Sequence, residues 1–168
     1  MSWWTILKEV TISEPMNEEE LVSLSREQPK PWIKRTDRWK NLTRTIFNAP
    51  NEQYWVVYGR KGTKEEGKPM AAQGVAYTDG IYLGQGLRNI GEGGKEYAFD
   101  IAREVFETKR KKPAILFANQ YSEPIFKRLG FEEGTLDDVR ELSKEIANNL
   151  QKNIPNYQNW NEKLLILR

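Results

Sequence analysis

The 168-residue chain contains neither histidine nor cysteine. It therefore has no imidazole base, no thiol nucleophile, no disulfide and no zinc-finger ligand set. Any catalysis must come from Tyr, Asp, Glu, Lys, Ser, Thr or the backbone itself, and no spacing of carboxylates suggests a metal site. The backbone is most exposed in residues 83–99, LGQGLRNIGEGGKEYAF, where five glycines precede a helical pattern. A glycine turn ahead of a helix can serve a sharp bend. It can also let an anion reach the free N–H groups of the first helical turn with no Cβ in the way, a dipole contribution of about 0.3–2 kcal/mol.

Three phosphate-binding patterns can be tested on this stretch. A Walker A loop fails: Asn89 stands where the first glycine belongs and Glu96 where the metal-binding hydroxyl belongs. A dinucleotide G-x-G-x-x-G also fails, because Gly84 and Gly86 are followed by Asn89 and the preceding strand reads as part of a hairpin. The third pattern, [QR]-x-x-G-x-[GA], fits Arg88-Asn89-Ile90-Gly91-Glu92-Gly93, with Leu83 five residues ahead of the arginine. Gly94 also suits the last slot if one residue is inserted.

The elements that must hold this turn are legible from their periodicity. Residues 16–27 read as a helix capped by Asn17 with Glu20, and residues 32–47 as a second, through Trp32, Trp39, Leu42 and Ile46. Strand patterns follow at 53–59 and 70–77, then Asp79-Gly80, a type I′ hairpin signal, then a third strand whose ladder Gly84 and Gly86 should weaken, marking a bulge or a close backbone approach. A helix over about 94–110 carries Tyr97, Ala98, Ile101, Ala102, Val105 and Phe106 on one face and ends in TKRKK before Pro113. The run at 114–119 reads as a buried strand. A short helix follows, with Ser122 as its cap and Gly130 as its stop, and Phe131 starts another short strand. One amphipathic helix spans 135–150, opened by Thr135 and Asp138, and KLLIL at 163–167 is a last strand. The order implies an α/β mixture around a single sheet.

The glycine turn resembles the coenzyme A pyrophosphate loop of the GNAT superfamily of N-acyltransferases. The segment ANQYSEPIFKRLGF resembles that family's second signature, N-x-x-A-x-x-x-Y-x-x-x-G-F, through Asn119, Ser122 for Ala, Phe126 for Tyr, and Gly130-Phe131. Residues 53–131 carry the resemblance, with the last strand completing the sheet. It implies one GNAT-like domain over 1–168, a mixed, mostly antiparallel sheet with helices on both faces. Residues 1–50 form a helical N-terminal part, 53–134 the cofactor-binding core, and 135–168 an extra helix and the last strand. The implied cofactor is acetyl-CoA or another acyl-CoA. Arg88, Asn89, Gly91, Gly93, Gly94 and Lys95 would meet its pyrophosphate, Leu83 would offer backbone to pantetheine, and Asn119 and Phe126 belong to the second signature. The implied reaction is direct attack of an amine on the thioester, with a tyrosine protonating the departing thiolate.

The sequence departs from the family at two places. Phe126 has no proton to give where the family has tyrosine, a role left to Tyr121 or Ser122 on the same short helix. Glu92 puts a carboxylate into a phosphate loop, so it must point away or pair with Arg88 or Lys95. Asp79, Glu52 and Tyr77 are candidate bases. A non-catalytic member of the fold is the rival reading.

Composition narrows the partners. The net charge of +2 speaks against a dedicated nucleic-acid binder, although the Trp/Lys/Arg segment at 32–47 is the place where one would act. No apolar run approaches the ~20 residues that span a bilayer. The start, MSWWTILKEV, reads as structure and not as a signal peptide, which makes a cytoplasmic protein the expectation. The acceptor is expected to be a small-molecule or protein amine, and the sequence leaves the oligomeric state open.

Overall fold

The computed structural model describes residues 10–28, 52–89, 94–156 and 161–168. The predicted helix at 32–47 and Trp3, Trp4, Trp32 and Trp39 lie outside them. Strands are β1 (Thr11–Ile12), β2 (Glu52–Tyr58), β3 (Pro69–Thr78), β4 (Ile81–Asn89), β5 (Ala114–Ala118), β6 (Glu132–Glu133) and β7 (Lys163–Leu167). Helices are α1 (Glu18–Arg26), α2 (Gly94–Arg103), α3 (Glu123–Arg128), α4 (Leu136–Leu142) and α5 (Lys144–Asn153). The strands form one sheet in the order β1-β2-β3-β4-β5-β7-β6. Every neighbouring pair is antiparallel except β4 and β5.

Helices cover both faces. On one face α2 buries Tyr97, Ala98, Ile101, Ala102, Val105 and Phe106 against Trp55, Val57, Ala71 and Leu116, the stripe that the spacing predicts. On the other face α4 and α5 bury Val139, Ile146, Ala147 and Leu150 over Ala76, Leu83, Ile115 and Leu164. On that second face α1 packs Leu21 on Val56 and Ala72.

The local chemistry of the ends is as the residue types dictate. Asn17 and Glu20 form a reciprocal capping box on α1, and Thr135 and Asp138 do the same on α4. Asp79 and Gly80 both have positive φ, 48° and 79°, as a type I′ turn requires. Gly130, at φ 99°, closes the turn after α3.

Three expectations are corrected. The helix predicted over 135–150 is two helices. Ser143 breaks it in extended conformation (φ −155°, ψ 116°), its hydroxyl accepting the Ile146 N–H at 3.1 Å and donating to the Asp79 carboxylate. The helix predicted over 94–110 is α-helical only to Arg103. A π-helical turn over Glu104–Thr108 follows, with the Lys109 N–H bonded to the Glu104 carbonyl at 2.8 Å and Arg110 in the left-handed region at φ 52°. Ser122 does not cap α3 with its side chain. Asn119 Oδ1 instead accepts the N–H groups of Tyr121 and Ser122, each at 2.9 Å.

Candidate functional site

The parallel pair at the centre of the sheet is short. β4 meets β5 only through Tyr82↔Ala114 and Leu83↔Ile115, and the Tyr82 N–H donates to the Pro113 carbonyl at 2.9 Å. Beyond Leu83 and Ile115 the two strands pair only with their outer neighbours. β4 stays on β3 as far as Ala71↔Asn89, and β5 stays on β7 as far as Ala118↔Lys163. Among the described residues the β4–β5 ladder therefore stops at Leu83–Ile115, Gly84 still lies close against Leu116, and past that point the two strands are not paired with each other. Their facing edges there are backbone, the strand geometry that offers free N–H and C=O groups to a ligand.

A bulge in β4 follows the end of the ladder. Gly74 pairs with Gln85 and Ala72 with Arg88, so two steps on β3 match three on β4. The extra residue falls within Gly86–Leu87, on the glycine-marked stretch where the sequence expects it. Gly84 sits at the end of the ladder. A Cβ built there would stand 2.8 Å from Leu116 Cβ and 3.0 Å from Leu116 Cδ2, so glycine is what lets β5 come this close.

Beyond the bulge β4 ends, and α2 begins after it. Gly91 and Gly93, with Glu92, lie outside the described residues. Arg88 and Asn89 are the last two residues of β4, and Gly94 and Lys95 are the first two of α2. The first N–H groups of α2 thus come after the four residues that follow the end of β4. The arrangement of α2 is held from below by a clamp without any local sequence signal. The Arg60 guanidinium meets Asp100 at 2.5 Å and lies over the Tyr97 ring, while the Tyr97 hydroxyl accepts the Arg60 N–H at 3.0 Å.

The second signature falls at the top of β5. Asn119 organises the turn into α3, and Tyr121 projects from it, 69% exposed. Phe126 is buried, edge-on to Phe106 and Phe131 at centroid distances of 6.1 and 5.4 Å. Glu123 opens α3 with its carboxyl held below the ordinary range. The hydrogen bond from Lys127 at 2.7 Å is the main cause and that from Lys163 at 3.2 Å the next. Lys127 is correspondingly raised by Glu123.

The candidate bases separate. Asp79 and Tyr77 flank the β3–β4 turn, at the closed end of the β4–β5 pair. Asp79 is bonded to Ser143, and the Tyr77 ring lies 4.8 Å from that of Tyr82. Glu52 opens β2 and accepts the Tyr54 hydroxyl at 2.6 Å. Leu83 keeps its side chain buried beneath α4 and α5, so only its backbone faces β5. An open cavity of about 250 Å³ between Glu132, Asp138 and Arg168 lies at the β6–β7 edge, away from the end of the β4–β5 ladder. Among the described residues no cluster of acidic side chains is placed to hold a metal, and no helix is long and apolar enough to cross a membrane.

No protein-family model matches the chain, and no curated protein does. Solved structures do overlay on it. The N-acetyltransferase PseH of Campylobacter jejuni aligns at TM-score 0.47 and 9% identity, over 95% of this chain and 97% of its own. A domain from Methanocaldococcus jannaschii aligns at 0.46 and 14%, over 95% and 99%. The spermidine/spermine N-acetyltransferase SpeG of Vibrio cholerae aligns at 0.43 and 13%, over 77% and 82%.

Proposed function

We propose that the chain is an acyl-CoA-dependent N-acyltransferase of GNAT type, taking acetyl-CoA or another acyl-CoA and passing the acyl group to a small-molecule or protein amine. The observation that carries the reading is that the β4–β5 ladder stops at Leu83–Ile115, with a bulge in β4 just beyond it and α2 starting after the four residues that follow β4. A pantetheine arm is a chain of amides, which fits unpaired strand backbone. A pyrophosphate fits the N–H groups that open α2, with Arg88, Asn89, Gly91, Gly93, Gly94 and Lys95 as the residues that would hold it. Bound there, acyl-CoA supplies an activated thioester carbonyl. The N–H groups of β4 near the bulge are suited to polarise that carbonyl. Tyr121 is the candidate proton donor, and Asn119 supports it by shaping the turn.

Phe126 favours a second reading, in which the fold binds coenzyme A without catalysis. Its ring carries no proton and is spent in the aromatic cluster with Phe106 and Phe131. Thiol release from acetyl-CoA, measured with a panel of primary amines, separates the two. The transferase reading expects release that needs both the amine and the protein. Coenzyme binding without amine-dependent release from any member of the panel supports the second.

A further inference from the structure

We propose that Arg60 is a positioning residue for the cofactor, latching the β2–β3 loop onto α2 close to the helix end that would meet the pyrophosphate. The inference rests on the acyl-CoA reading above.

The loop closes on itself before it reaches α2. The Gly59 N–H donates to the Lys68 carbonyl at 2.8 Å, and the Gly67 N–H to the Gly59 carbonyl at 3.3 Å. The Thr63 hydroxyl donates to the Arg60 carbonyl at 2.6 Å. A Cβ at Gly59 would stand 1.9 Å from the Glu65 carbonyl oxygen, so glycine is what allows the loop to fold this tightly. Arg60 therefore departs from a fixed backbone, and three contacts run from it to α2. Its N–H donates to the Tyr97 hydroxyl at 3.0 Å, its guanidinium lies 4.8 Å from the centre of the Tyr97 ring, and its Nη2 meets Asp100 Oδ2 at 2.5 Å. The Arg60 and Asp100 side chains are only 23% and 12% exposed. The Tyr97 ring is buried with Trp55, Val57 and Met70, so the core holds the surface on which the guanidinium rests.

These contacts fall close to the start of the helix. α2 begins at Gly94, and the N–H groups of its opening residues have no partner inside the helix. Tyr97 comes three residues later, about 4.5 Å along the axis, and Asp100 follows one turn on along the same face. An anion held by several N–H groups at once needs all of them in place, and a displacement of about 1 Å is enough to spoil such an arrangement. Arg60 ties the first two turns of α2 to the end of β2, and β2 lies two places from β4 in the same sheet. Helix end and strand are thereby held in one frame. Arg103 also meets Asp100, at 3.7 Å, but it belongs to α2 and adds no tie between helix and loop.

The test is calorimetric titration of the full chain and three variants with coenzyme A, well below their unfolding temperatures and with folding checked by circular dichroism. Arg60→Met is expected to weaken binding by about tenfold, as loss of one charge-assisted contact implies. Arg60→Lys keeps the charge but not the planar face on Tyr97, and should fall between Arg60→Met and wild type. Asp100→Asn separates the latch from simple charge. Removing a carboxylate near the start of α2 would by itself favour an anion there, whereas breaking the latch weakens its binding, and weakening is expected. A contact that served stability alone would lower Tm and leave the affinity of the folded variants unchanged. That result for Arg60→Met overturns this inference alone, as does unchanged or tighter binding by Asp100→Asn. If Arg60→Met does not fold, wild-type affinity in Arg60→Lys overturns it equally. Failure of the wild type to bind coenzyme A overturns the acyl-CoA reading and this inference with it.

Discussion

Replacing Gly84 by alanine probes the end of the β4–β5 ladder. The added Cβ would lie 2.8 Å from Leu116 Cβ and 3.0 Å from Leu116 Cδ2. The first of these is anchored to the β5 backbone and cannot rotate away. Relief requires β4 and β5 to separate by roughly 1 Å at the point where their short ladder ends, since carbon contacts settle near 3.5–4.0 Å. Overpacking of this kind costs about 1–3 kcal/mol. Alanine recovers about 0.5–1 kcal/mol of the backbone entropy that glycine loses in a strand. The net destabilisation should be about 1–2 kcal/mol, a fall in Tm of about 2–8 °C for a chain of this length. Thermal unfolding followed by circular dichroism reads it directly. Amide exchange should rise at Tyr82, whose N–H holds Pro113 across the pair. A Gly84→Ala protein as stable as wild type would refute the close approach of the two strands at this position.

Other expectations follow from single contacts. Ser143→Ala removes both the cap on Ile146 and the hydroxyl bonded to Asp79, and should cost about 2 kcal/mol by urea unfolding, with Asp79→Asn non-additive to it. Phe126→Ala should cost about 3–5 kcal/mol, because it opens a cavity between Phe106 and Phe131. The Asp138 carboxyl is held below its ordinary value of 3.8 by the Thr135 N–H first and the Thr135 hydroxyl next. Its contribution is therefore complete above that ordinary value and is lost as pH falls through the lowered native one. Carboxyl-carbon NMR should show Asp138 titrating below a free aspartate, and Asp138→Asn should flatten the acid limb of the stability profile.

Much of the fold was legible because its signals are local. Asn17 with Glu20, Thr135 with Asp138, and Asp79-Gly80 each specify a cap or turn within four residues, and the structure has all three. The break at Ser143 was not legible. Leu142 and Ile146 keep the helical period across it, and its cause is a bond to Asp79, 64 residues away. The π-helical turn after Arg103 keeps Val105 and Phe106 buried, so the apolar spacing gives no sign of it. Asn119 and Ser122 are both capping residue types, and both bond back to the turn: Asn119 Oδ1 accepts the Tyr121 and Ser122 N–H groups, and the Ser122 hydroxyl accepts the Asn119 N–H at 3.2 Å. At the candidate site, the glycines flagged the bulge. The end of the β4–β5 ladder depends on which outer strand each one follows, which no spacing within 83–99 encodes. The Arg60–Asp100 clamp is likewise a contact across 40 residues with no local trace.

On the proposed function, the glycine-rich residues 91–94 admit the pyrophosphate of an acyl-CoA. Calorimetric titration of the protein with acetyl-CoA, beside a Gly91→Asp, Gly93→Asp double variant, tests it most directly. Saturable binding is expected, lost in the double variant while that variant remains folded. A folded wild-type protein that does not bind acetyl-CoA, or a double variant that binds it equally well, would contradict the account.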